Sequence, residues 1–152
     1  MIDPLAKVDE SVKIGEGVTI WAFASVHAGV VLGDFVSVGE HVYIGRDTKI
    51  GARTRINQGV HITDHMIIGE DVFIGPGVLF ANDKYPIANN PSFKRESPEV
   101  ESGVSIGIGA IIMPNVHLGQ GCMIGAGAVV TRNVEPFATV VGNPARSIQN
   151  RR

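Results

Sequence analysis

The sequence predicts an all-β fold, a solenoid of short strands that turns a corner every six residues. Three observations carry this. Aliphatic residues recur with a period of six, smaller residues recur four places after each, and glycine often follows the aliphatic residue directly. The beat starts at Val8 and runs through Ile14, Ile20, Val26, Leu32, Val38, Ile44, Ile50, Ile56, Ile62 and Ile68 to Ile74. It resumes out of frame at Val100 and continues through Ile106, Ile112, Leu118, Ile124 and Val130. All eighteen of these first positions are Val, Ile or Leu.

The fifth positions agree. They run from Val12, Val18 and Ala24 to Val78, and then through Val104, Ala110, Val116, Cys122, Ala128 and Val134. The second position is glycine in ten of the eighteen hexads. A period of six fits neither a helix, at about 3.6, nor a long strand, at about 2. It fits a strand of a few residues followed by a tight corner, with the first and fifth side chains pointing inward and glycine easing the corner. Three such sides close a triangular coil, and coils stack at roughly 4.8 Å. Eighteen hexads make six coils, a prism on the order of 30 Å tall. Each coil buries its apolar row only against its neighbours. The expectation is one domain over residues 1–152, with hexads at 8–79 and 100–135, one extruded loop at 80–99 and a short tail at 136–152.

Composition narrows the function classes. The 152 residues carry a net charge of −2, so no basic surface points to nucleic acid or an anionic membrane. No apolar run approaches the roughly 18 residues needed to span a bilayer. The opening MIDPLAKVDE lacks the apolar stretch of a leader. A single cysteine, Cys122, forms no internal disulfide, and its inward position makes it a packing residue. These features point to a cytoplasmic protein.

The interruption, FANDKYPIANNPSFKRESPEV, has the composition of a loop, with three prolines and three asparagines. Insertions in solenoids bulge from one corner, commonly at the binding face. Long loops in compact domains are commonly functional.

Together the hexads resemble the hexapeptide-repeat, left-handed parallel β-helix family, over residues 8–141. The resemblance implies the left hand. Most of that family are acyltransferases that use an acyl-CoA or a carrier thioester, some are zinc carbonic anhydrases and some are scaffolds. The stretches VFIGPGVLFANDKYP, VSIGIGAIIMPNVHLGQGCMIGAGAVVTRNV and VVGNPAR resemble the sugar-nucleotide amino-acetyltransferases. This implies acetyl-CoA as co-substrate, a nucleotide-linked amino sugar as acceptor, and a homotrimer with sites between subunits, serving surface glycans. Acetyltransferases acting on galactosides and maltose carry a histidine in the segment where this chain reads Asn82-Asp83-Lys84-Tyr85-Pro86.

The chemistry is compatible with that substitution. A sugar amine is partly the free nucleophile near neutral pH, so it needs orientation and a proton acceptor more than a strong base. Asn82 and Asp83 are the first candidates, with Lys84, Tyr85 and Asn57 toward the substrate. His117 is a second candidate base, expected one coil beyond Tyr85, and His61 is expected on the same face two coils earlier. For the coenzyme, the resemblance points to Gly125, Ala126, Gly127, Ala128 and Ala110 along the pantetheine arm, and to Arg132 and Arg146 at the phosphates. Trp21 and Phe23 point outward, toward a subunit contact or a ligand wall.

Three alternatives stand beside this reading. One is an O-acetyltransferase using His117 or His61, and another is a scaffold whose loop docks a partner. The third is a zinc hydratase, which resembles the chain at Asn57-Gln58. It needs convergent histidines, but the residues five places either side of His117 are Ile112 and Cys122. No metal is expected.

Overall fold

The computed structural model describes residues 1–148. Two-residue strands alternate with tight turns along the chain, and the described residues contain no helix. The strands stack into three parallel sheets, which are the three sides of a β-helix of about seven turns. The first face holds Lys7–Val8, Ser25–Val26, Tyr43–Ile44, His61–Ile62, Leu79–Phe80, Ile111–Ile112 and Val129–Val130. The second holds Lys13–Ile14, Val31–Leu32, Lys49–Ile50, Ile67–Ile68, Glu99–Val100 and His117–Leu118. The third runs from Thr19–Ile20 through Ser37–Val38, Arg55–Ile56, Phe73–Ile74, Ser105–Ile106 and Met123–Ile124 to Thr139–Val141. Arg146–Ser147 folds back antiparallel on the last of these. The architecture is that of the expected left-handed β-helix, about one turn longer than the hexad count implied.

Register explains the six-residue beat. Ser25 pairs with Tyr43 and Tyr43 with His61, so the strand partner is always one coil away. Every inward first position from Ile20 to Val130 is buried. Ile14, in the lowest coil, is 40% exposed because no coil lies beneath it. Two fifth positions are polar. The hydroxyls of Thr48 and Thr54 donate to the carbonyls of Thr63 and Gly69 and accept from the N–H groups of Met66 and Val72. Their burial therefore leaves no hydrogen bond unmade.

Corners need glycine for two separate reasons. At Gly75 a Cβ would stand 2.7 Å from the Ile108 nitrogen of the next coil, so the backbones themselves are in contact. At Gly77 the reason is φ, which is +66°.

The interruption leaves the prism between the first and second faces. Phe80 is buried as one more inward first position and Glu99 already lies in a strand, so the excursion is 81–98, one residue shorter at each end than expected. Pairing across it is intact, with Ile67 opposite Glu99 and Ile68 opposite Val100.

Two outcomes follow from this packing. Ile74→Ala removes a fully buried side chain from a stack that cannot collapse around the gap. It is expected to cost about 3 kcal/mol in urea denaturation. The Cys122 thiol is buried and burial pushes its pKa up to about 11. A thiol reagent at neutral pH is expected to leave it unmodified in native protein and to label it once the chain is unfolded.

Candidate functional site

Most of the candidate side chains gather at two of the three corners. The loop corner joins the first face to the second. There the mouth of the loop is closed by hydrogen bonds. Glu96 N–H donates to the Asn82 carbonyl at 2.9 Å, and Asn115 N–H donates to the Glu96 carbonyl at 2.8 Å. The Ser97 hydroxyl donates to the Asp64 carbonyl at 2.5 Å. The loop is therefore anchored to the coils below and above it.

Within the loop, Asp83, Lys84, Tyr85, Asn90, Ser92, Lys94 and Glu96 line an open cavity of about 260 Å³. Asp83 accepts from the Tyr85 N–H at 3.1 Å, a turn-forming contact that occupies one carboxylate oxygen. Lys84 Nζ sits 5.5 Å from the centre of the Tyr85 ring. Asn82 is half-buried at the base, and its amide lies outside the cavity lining.

His117 lies on the second face, beside this corner. Its strand partner is Glu99, which directly follows Pro98 at the end of the loop, and not Tyr85, which stands out in the loop at 68% exposure. His117 Nε2 is 2.8 Å from Glu101 Oε1, and Nδ1 is 3.8 Å from Glu99 Oε2. Glu101 is held on its other oxygen by the Gln120 N–H at 2.6 Å. The His117 backbone N–H donates to Asn133 Oδ1 at 2.8 Å, from the coil above. The hydrogen bond from His117, with that from Gln120, keeps the Glu101 carboxyl below the usual carboxylate value. A cavity of about 360 Å³ lies alongside, lined by Ile67, Gly69, Glu99, Glu101, Ser102 and Gln120.

His61 is on the first face, so it does not share a face with His117 as expected. It closes an aromatic ladder, with ring centroids 4.6 Å apart from His27 to Tyr43 and again from Tyr43 to His61. Burial lowers its pKa, which favours the neutral ring. Asn57 sits at the corner between the third and first faces, and its amide donates to the Ile74 carbonyl at 2.7 Å. That bond serves the stack.

The same corner carries the coenzyme candidates. Gly125, Ala126 and Gly127 form its upper turn. Below them Gly109, Gly77 and Gly59 occupy the equivalent place, and a Cβ at any of these four turn glycines would meet nothing within 4 Å. Further down, Phe23 and His41 stand at that position, stacked 5.0 Å apart. The edge is thus bare over its upper coils and aromatic over its lower ones. On its third-face side an apolar cavity of about 350 Å³ is lined by Phe73, Ile106, Gly107, Met123, Gly125 and Val141.

Ala110 and Ala128 are 0% exposed. Their methyl groups belong to the core, and their carbonyls accept from Leu79 and Ile111. Neither has a group left for a ligand. Arg132, from the loop corner, and Arg146, from the folded-back strand, line one cavity of about 280 Å³ at the end of the prism.

Glu99, Glu101, Gly59, Gly77 and Gly109 were missed in the sequence reading. Glu99 and His117 share the sixth position of their hexads on adjacent coils, and the glycines share the fourth. Stacking by coil was the signal that would have found them. Among the described residues, no group of three or more His, Cys, Asp or Glu is placed to hold a metal ion. Among these residues, too, no helix is long and apolar enough to cross a membrane.

Comparison with known proteins agrees with this geometry. Residues 1–89 match the family model described as the GMPPB C-terminal domain, and residues 97–132 match bacterial transferase hexapeptide (six repeats). A serine acetyltransferase of Buchnera aphidicola is 46% identical over 56 residues, 37% of this chain and 22% of that protein. The chain thus spans well under two thirds of that relative. The hexapeptide-repeat acetyltransferase VCA0836 of Vibrio cholerae, solved with acetyl coenzyme A, superimposes with a TM-score of 0.71. It is 27% identical, with 80% of this chain and 70% of that one covered. The acetyltransferase domain of PglB from Neisseria gonorrhoeae, solved with acetyl coenzyme A, gives a TM-score of 0.63. It is 29% identical, over 97% of this chain and 56% of that one. With its stacked six-residue coils matched by the first model over more than half their number and by the second above the loop, the chain belongs to the hexapeptide-repeat proteins, in the family of the GMPPB C-terminal domain.

Proposed function

We propose that this chain is an acetyl-CoA-dependent N-acetyltransferase acting on the amino group of a nucleotide-linked amino sugar, a cytoplasmic step toward surface glycans. The observation that carries it is the loop at one corner. It brings Asn82 and Asp83 to the mouth, with no histidine in the segment where sugar-hydroxyl acetyltransferases keep one. The two relatives solved with acetyl coenzyme A support the donor.

The bare corner suits the pantetheine arm. From Gly127 down to Gly59 it covers three coil steps, on the order of 14 Å. Backbone groups at Gly125, Ala126 and Gly127 edge it, and the apolar cavity beside it accommodates methylenes. Arg132 and Arg146 at the end of the prism are the partners for the coenzyme phosphates. At the loop corner Asn82 orients the amine, and Lys84 and Tyr85 face the rest of the acceptor. A backbone N–H of a neighbouring coil meets the developing oxyanion.

The loop corner and the bare corner are separated by the whole first face, roughly 15 Å. One chain therefore does not bring acceptor and donor together across a corner. A second copy set against the first does, which is the reason for proposing a trimer with sites between subunits. Trp21 and Phe23, exposed at the foot of the bare corner, are proposed subunit contacts.

Titration calorimetry with acetyl-CoA is expected to give one site per subunit in the micromolar to sub-millimolar range, lost in Arg132→Glu. Absence of binding by the native protein would transfer the weight to a scaffold. Asn82→Ala is expected to lower acetyl transfer to an amino-sugar nucleotide roughly 10²-fold, with acetyl-CoA binding retained. Full turnover in that variant would remove Asn82 from the mechanism. The His117–Glu101 pair is also what a hydroxyl acceptor requires. Thiol release with hydroxyl sugars alone would favour O-acetylation.

A further inference from the structure

We infer that the donor site takes short acyl groups beyond acetyl, up to about five carbons, and that His41, stacked on Phe23, is the floor that ends the acyl channel. The inference rests on the acetyl-transfer reading above and deepens it, because it fixes which acyl-CoA thioesters that same site accepts.

Height along the prism leads there. Gly77 closes the turn that feeds Leu79–Phe80, and Asn82 follows on the same coil. With two copies side by side and their coils level, an amine held at Asn82 meets a thioester carbonyl at the height of Gly77. The pantetheine arm rises from there past Gly109 and Gly127 toward Arg132 and Arg146, and the acyl chain points down. The N–H groups of Gly77, Gly59 and His41 donate to the carbonyls of Gln58, Glu40 and Ala22, so these positions stack one coil apart. A Cβ at Gly77 or Gly59 would meet nothing within 4 Å, so the edge is bare for both. His41 is the first side chain below them. Its ring lies on that of Phe23, 5.0 Å between centroids and 17° between planes, so it is backed from beneath.

The length follows. Gly77 to His41 is two coil steps, roughly 9.6 Å. The last carbon of the chain stops about 4 Å short of the His41 side chain, at van der Waals contact. About 5.6 Å remains, and an extended chain advances roughly 1.2 Å per bond. Four carbons beyond the carbonyl fill it, and acetyl occupies only the top.

The walls suit an aliphatic chain. Leu79, His61 and Tyr43 are the outward residues of the first face at these heights, paired in register. The His61 and Tyr43 rings stack 4.6 Å apart, 6° from parallel, and burial favours the neutral imidazole. Across the corner Phe73 is exposed. The transfer is the same in kind for each donor. The acyl carbon exchanges its bond to sulfur for one to the amine nitrogen, and the proton lost by that nitrogen goes to the departing thiolate.

The test is titration calorimetry with free coenzyme A and its acetyl, butyryl, hexanoyl and octanoyl thioesters, each affinity read relative to free coenzyme A on the same protein. The native protein is expected to gain roughly fourfold per buried methylene from acetyl to butyryl. It is expected to gain nothing from hexanoyl to octanoyl. His41 has a φ of +57°, which glycine adopts freely, so His41→Gly keeps the backbone and lowers the floor by one coil. In that variant the gain is expected to continue from hexanoyl to octanoyl, about tenfold for the two methylenes. Gly59→Asn puts a side chain into the channel, at a φ that Asn115 already adopts. It is expected to abolish the gain from acetyl to butyryl. Equal affinity for acetyl and butyryl thioesters in the native protein, or a gain that runs on to octanoyl there, would overturn the inference. So would an unmoved break in His41→Gly or a gain that survives Gly59→Asn. In each of these outcomes coenzyme A still binds and the acetyl-transfer reading stands. Failure of the native protein to bind coenzyme A or any thioester would remove that reading, and the inference with it.

Discussion

Everything in this molecule depends on the parallel pairing of each strand with the strand one coil away. The backbone groups of a coil have few partners within it. Lys13 N–H donates to the Val30 carbonyl, Lys49 to Met66 and Glu99 to Val116, always across coils. The inward rows follow from that pairing, because residues stacked by backbone register also stack by side chain. Ile20, Val38, Ile56, Ile74, Ile106 and Ile124 form one such row on the third face. Burial of the row and closure of the ladder are one event, which is why neither side of a coil is stable alone.

The same constraint explains how so regular a chain accommodates a long excursion. The excursion exits and re-enters at one corner, where the backbone is turning and makes few ladder bonds. Ile67–Ile68 finds Glu99–Val100 as if nothing intervened. The entropy of closing a longer loop grows only slowly with its length, so the insertion is tolerated. Its mouth is then tied to the coils by Asn82, Glu96 and Ser97. A rigid prism with one anchored loop is a platform on which a few side chains are held in fixed relation.

The corners of the prism have divided their work. One is bare glycine above and aromatic below, one carries the loop, and the third, between the second and third faces, carries Gln120, which holds Glu101, and a set of ion pairs. At this third corner Arg53 is bound by Asp71 at 2.7 Å and by Glu70 at 2.7 Å. These pairs are exposed and contribute little to stability. They align successive turns. The outward positions of a β-helix are free to vary, since the core makes no demand on them, and chemistry accumulates there.

The period of six, with its large and small inward positions, was legible without coordinates because each hexad reports its own geometry locally. So was the corner that bears the insertion. The edge of the loop was misjudged by one residue at each end, because Phe80 fills an inward place normally held by Val, Ile or Leu. Ala110 and Ala128 were assigned to a ligand although the fifth-position rule already placed them inside. What the sequence by itself determined was the solenoid, its inward rows and the place of its one excursion. What only the tertiary structure decided was which outward residues meet: Glu101 with His117, His61 with Tyr43, Arg132 near Arg146. The physical reason is that outward neighbours lie a whole coil apart in sequence, eighteen residues in the plain stack and thirty-two across the loop. His61 and His117 miss each other by one face because the intervening residues leave one hexad over after whole coils and the insertion are counted.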